Sequence, residues 1–179
     1  MMPELAAYLP LRQKQLDWFR RRGVPITSLF TSIDTGNPTA VMIAHGVKAA
    51  DGRFDDDPSG PAWFVFEERD DVVFWNPIGN QLATFNGRAF ALGEDAVSNP
   101  GTYAFDNRLD LYPEPVSWLC ANRDGCVVLD WSRAWSRLQD APRLGLSESL
   151  VNIYRRHMRP PAGPEVFVLA VAQDERSAA

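Results

Sequence analysis

Gly125-Cys126-Val127-Val128-Leu129-Asp130-Trp131 is the stretch whose reading decides the fold. Four consecutive apolar residues, two of them β-branched, follow a glycine and stop at an aspartate. A short run of that kind reads as a strand buried on both faces and covered by helices. A second run, Val166-Phe167-Val168-Leu169-Ala170-Val171, lies about one crossover further on. Two apolar strands joined by helices are expected to lie parallel, with a right-handed crossover.

The helices between them have their own signals. Ser132 can cap a helix whose Trp131, Ala134, Trp135 and Leu138 form one apolar stripe. Ser147 can cap another, with Leu150, Val151, Tyr154 and Met158 on its inner face and Pro160-Pro161 as its stop. Upstream, Pro115–Ala121 reads as a short helix and Leu109–Tyr112 as a short strand.

The N-terminal part follows a different pattern. Residues 10–22 read as a helix, with Pro10 at the first position, Leu11, Gln15 and Trp18 on one face, and Gly23 as the stop. Ile26–Ile33 and Thr39–Ala44 are β-rich, and 51–60 reads as a polar surface loop. Residues 62–76 form the clearest hairpin, with Glu68–Asp71 as its polar turn. Leu82–Phe85 and Arg88–Leu92 read as a second hairpin around Asn86-Gly87, because Asn-Gly tolerates the positive φ of a tight turn. The expectation is a single α+β domain over residues 1–179. A helix and an antiparallel meander (1–111) precede an α/β half (112–172) with two buried strands and covering helices.

Composition bounds the function. The chain has 179 residues, 45% hydrophobic and 23% charged, with a net charge of −5, which opposes general affinity for nucleic acid. Its basic residues are 16 Arg and 2 Lys, a skew that suits a GC-rich bacterial genome. Cys120 and Cys126 are read as buried free thiols rather than a secreted disulfide framework. No stretch is long and apolar enough for a membrane helix, and the N-terminus has no signal-peptide pattern, so a cytoplasmic protein is expected.

Candidate functional residues are few. Asp130 falls at the carboxyl end of the quoted strand, where open α/β sheets place ligands, although an aspartate there also serves as a helix cap. Arg155, Arg156 and Arg159 make a basic helix end that could join Arg20–Arg22 in an anion patch. Trp63 and Trp75 would mark a partner surface if they face outward from the hairpin. His45, His157 and the two cysteines have no metal-ligand spacing, and no dinucleotide, nucleoside-triphosphate or α/β-hydrolase motif occurs.

The segment 112–161 resembles uncharacterised small proteins carried in prophages and integrated elements of GC-rich bacteria. The resemblance rests on Pro115-Val116-Ser117-Trp118-Leu119, on Asp124–Trp135 and on Tyr154–Pro160. It implies no particular activity. The expectation is a non-enzymatic binding or regulatory protein without a cofactor or metal, its partner another protein. The alternative is a metal-assisted phosphoesterase or nucleotide-handling enzyme using Asp130 with acids from the loops.

Overall fold

The hairpin at residues 62–76 is the centre of the molecule. The structure, a computed structural model, describes residues 8–30 and 40–160. Strands β1 (Leu9–Pro10), β2 (Met42–Lys48), β3 (Phe54–Asp56), β4 (Ala62–Glu68), β5 (Asp71–Asn76) and β6 (Gln81–Thr84) form one sheet. Its order is β1-β2-β4-β5-β6, every pairing is antiparallel, and β3 pairs with β2 from within the expected 51–60 loop. Alternate side chains point to opposite faces of a strand. Phe64, Phe66, Val73 and Trp75 accordingly pack in one cluster, and Trp63, Val65, Val72 and Phe74 in another.

Helix α1 (Gln13–Arg20) covers the first face through Phe19, whose ring centroid is 4.6 Å from that of Phe64. On the other face Phe54 and Phe74 stack with centroids 3.8 Å apart. Residues Ile26–Leu29 form a 3-10 turn rather than a strand.

After β6 the chain departs from the expected second hairpin. Strand β7 (Ala91–Leu92) pairs antiparallel with β9 (Val127–Val128), not with β6. The reason is Asp71, whose side chain draws the 86–89 loop across the end of the sheet and redirects the strand that follows. Short elements then succeed one another: α2 (Asp95–Ser98), β8 (Leu109–Leu111), α3 (Pro115–Cys120), α4 (Ala134–Leu138), β10 (Leu144–Leu146) and α5 (Val151–His157).

Residues 126–128 are buried as expected and Leu129 is half-buried, but the strand is two residues long and pairs antiparallel with β7. Among the described residues β8 pairs in parallel with β10 and forms a single parallel bridge, Leu111–Cys126, with the quoted stretch. The run 166–171, the expected parallel partner of that stretch, lies outside the described residues. Val127 packs into the α1-side core, whereas Cys126 and Val128 pack with Phe90, Leu109, Leu111, Ala134 and Leu138. The quoted stretch thus joins two cores. Helices with an antiparallel sheet make the molecule α+β. Among the described residues no helix is long and apolar enough to cross a membrane.

Candidate functional site

A cleft of about 780 Å³ opens at the end of the β4–β5 hairpin, between that turn, the 87–89 loop, α2 and the start of α4. Its floor holds Glu68. Strand parity puts residue 68 on the same face as Phe64 and Phe66, so the side chain enters the protein instead of the solvent, and 5% of the residue is exposed. The Gly93 N–H donates to its Oε1 at 2.8 Å. Gly93 has φ +72°, and a Cβ there would meet the Gly125 carbonyl at 2.5 Å, so the close approach that aims this N–H requires glycine.

Burial pushes the Glu68 carboxyl up to about 8, the nearby Asp95 and Glu94 charges push the same way, and the Gly93 and Glu94 backbone N–H groups offset part of the rise. Burial therefore favours the neutral form of Glu68. Arg123, over the Trp118 ring at 5.5 Å, is lowered to about 10 by burial, with the Glu68 charge acting in the opposite direction.

Asp71 borders the same cleft but is fully occupied. Its Oδ1 accepts from the N–H groups of Val72 at 2.8 Å and Asn86 at 2.7 Å. Its Oδ2 accepts from Arg88 at 2.6 Å and Ala89 at 3.0 Å. Glu68 and Asp71, expected from sequence to belong to the polar turn of the hairpin, are thus buried, and only Arg69 and Asp70 form the exposed turn.

The cleft wall carries both signs of charge. Arg69 pairs with Asp95 at 3.2 Å and Arg137 with Glu94 at 3.4 Å. Glu94 also accepts from the Phe90 N–H at 2.7 Å, which fixes it on the wall. Arg133 donates to the Arg88 carbonyl at 3.0 Å. Neither Arg88 nor Arg133 forms an ion pair among the described residues.

Asp130 stands on the rim. It caps the 3-10 turn Trp131–Arg133 that leads into α4, its Oδ1 accepting from the Ser132 N–H at 3.0 Å and the Ser132 hydroxyl at 2.6 Å. The capping residue is Asp130 and not Ser132, and Ser147 makes no side-chain cap for the turn after it.

The other sequence candidates lie apart. Trp63 and Trp75 are each 1% exposed, because both faces of the hairpin are covered, and so neither presents a face to a partner. Arg155, Arg156 and Arg159 are exposed around the end of α5, which packs on the Trp131–Arg133 turn and α4, while Arg20–Arg22 end α1 on the sheet. No hydrogen bond or ion pair links the two clusters among the described residues. Arg22 instead lies over Trp18, at 3.7 Å from the ring centroid.

Cys120 is exposed, contrary to its expected burial, and Cys126 is buried with its thiol pushed far up by desolvation. His45 Nδ1 lies 3.1 Å from the Gly60 carbonyl, and His157 faces Trp131 at 6.5 Å. No nucleophile–base pair forms from these groups. Among the described residues no three His, Cys, Asp or Glu side chains come together so as to hold a metal ion.

No family model, curated protein or solved structure matches the chain.

The sequence singles out Asp130, which the structure places on the cleft rim as a cap, and does not single out Glu68. The missing signal was parity: residues 64, 66 and 68 share one strand face, as do 71, 73 and 75, so both acids of the supposed turn fall on the core side.

Proposed function

We propose that the protein is a binding protein for a small organic anion held in the cleft above Glu68. The observation that carries this reading is a buried carboxyl group on the floor of an open polar cleft, where burial favours its protonated form. Ionisable groups perturbed by burial concentrate at functional sites, and convergent polar groups in a concave site mark ligand binding.

The chemistry of the ligand follows from the wall. Arg69 and Arg137 are committed to Asp95 and Glu94, which leaves Arg88 and Arg133 to receive a carboxylate or phosphate. A neutral Glu68 does not repel that anion, whereas an ionised one would, so affinity should fall as pH rises through about 8.

The test is thermal unfolding with inorganic phosphate and with a series from acetate to citrate. A matching anion at about 100 times its Kd should raise Tm by roughly 5–10 °C in wild type. The rise should vanish in Arg88→Glu/Arg133→Glu. If no anion of either kind moves Tm, the reading fails.

A second reading has one observation behind it, the position of Asp130 on the rim of a cleft that Asp70, Glu94 and Asp95 also line. It is a metal-assisted phosphoesterase or nucleotide-handling enzyme. A dose-dependent rise of Tm with magnesium or manganese, absent in Asp130→Asn, would favour it over simple anion binding.

A further inference from the structure

We propose, resting on the anion-binding reading of the Glu68 cleft, that its ligand is a zwitterion. The ligand is a small amino acid whose carboxylate sits on Arg88 and Arg133 and whose ammonium faces Asp130 and Asp70.

Most charged groups of the cleft are already engaged. Arg69 is paired with Asp95, and Arg137 with Glu94. Both oxygens of Asp71 accept from backbone N–H groups. Glu68 lies on the floor, where burial favours its neutral form, so it adds little charge. Arg88, Arg133, Asp70 and Asp130 are left. None of them forms an ion pair among the described residues. The cleft therefore offers a ligand cationic and anionic places in equal number.

One short turn sets the two signs side by side. Asp130 opens the 3-10 turn Trp131–Arg133 and Arg133 closes it, the Arg133 N–H donating to the Asp130 carbonyl at 3.2 Å. Asp130 uses Oδ1 for the Ser132 amide and hydroxyl, and its Oδ2 makes no hydrogen bond among the described residues. Arg133 gives Nη1 to the Arg88 carbonyl at 3.0 Å. That bond anchors the guanidinium and leaves its Nε–Nη2 edge to take a carboxylate in a two-point contact. It also ties the Arg88 backbone to the same wall. Asp70 completes the set from the β4–β5 turn, where it is exposed.

This arrangement selects against a ligand of one sign. A plain carboxylate or phosphate on Arg88 and Arg133 would meet the unpaired charge of Asp130 at the other end of the turn, and like charges repel. A plain cation on the aspartates would meet the arginines. An α-amino acid carries its carboxylate and its ammonium on the same carbon, so it satisfies both signs within one small molecule. A cleft of about 780 Å³ has room for its side chain as well.

The test is isothermal titration calorimetry at pH 7 with pairs that differ by one amino group: propionate and alanine, succinate and aspartate, glutarate and glutamate. In the pair that binds tightest, the amino acid should bind wild type at least about tenfold more tightly than its partner without the amine. Asp70→Asn/Asp130→Asn should bind the two members of that pair within about twofold of each other. It should still fold, because asparagine caps about as well as aspartate and position 70 is exposed. Arg88→Glu/Arg133→Glu should bind neither member. Equal affinity within every pair in wild type would overturn the zwitterion and leave the anion-binding reading standing. A preference that persists in Asp70→Asn/Asp130→Asn would overturn it too, since the aspartates would not be holding the amine. Failure of every compound to bind wild type would overturn both.

Discussion

The two arms of the β4–β5 turn each end in a buried acid, and their surroundings differ. Glu68 and Asp71 are partners on the last rung of the ladder, and both point to the core face. Around Asp71 the 86–89 loop supplies N–H groups, and with Val72 four backbone donors converge on one side chain. Around Glu68 the 93–95 loop supplies its own N–H groups, but it also brings the carboxylates of Glu94 and Asp95 close. One acid is a structural hub that turns a loop. The other is a neutral acid on the floor of a cleft. Burial is shared, so the loop delivered to each acid decides its role.

The largest test of that difference is Asp71→Ala. It would leave the N–H groups of Val72, Asn86, Arg88 and Ala89 without their acceptor. A buried donor left unmade costs about 1–3 kcal/mol, so the variant should lose on the order of 4 kcal/mol or more in urea denaturation. Asp71→Asn keeps one acceptor oxygen and should lose roughly half as much. A loss under about 1 kcal/mol for Asp71→Ala would erase the contrast between the two arms.

The hairpin was legible in sequence because Trp63–Phe66 and Val72–Trp75 are β-branched and aromatic on both faces, a pattern that only a doubly covered strand pair satisfies. Helices α1, α3 and α5 were legible from their apolar spacing and their proline or glycine stops. The second hairpin was not. Asn86-Gly87 is a turn signal, but a turn does not say which strand follows it, and the long-range bonds to Asp71 decided that. Val127–Val128 was legible as buried, but its antiparallel neighbour Ala91–Leu92 was not, since a short apolar run carries burial but not the identity of its neighbour. Of the site, Asp130 could be placed by its position after a strand. The cleft itself is assembled from residues 68, 88, 94 and 133, which no local motif brings together.

A smaller effect sharpens the comparison at the cleft rim. Asp130 holds only the Ser132 amide and hydroxyl at the start of a short turn. Asp130→Ala should cost about 1 kcal/mol in thermal or urea unfolding, and Asp130→Asn no more than a few tenths. An equal loss in both variants would show that its charge does more than cap the turn.

Glu68 itself gives the most direct test, through stability measured against pH in wild type and Glu68→Gln. In the unfolded chain its carboxyl loses its proton near 4.5, and in the folded protein near 8, so between those values the folded state binds more protons. The contribution of Glu68 to stability is complete below the lower value and is lost as pH rises toward the upper one. The slope reaches up to about 1.4 kcal/mol per pH unit. Glutamine has no proton to lose, so the stability of wild type relative to Glu68→Gln should fall steadily across this window and level off above it. A difference that stays flat from pH 4.5 to 8 would mean that Glu68 ionises like a surface carboxylate, and the cleft would have no neutral acid on its floor.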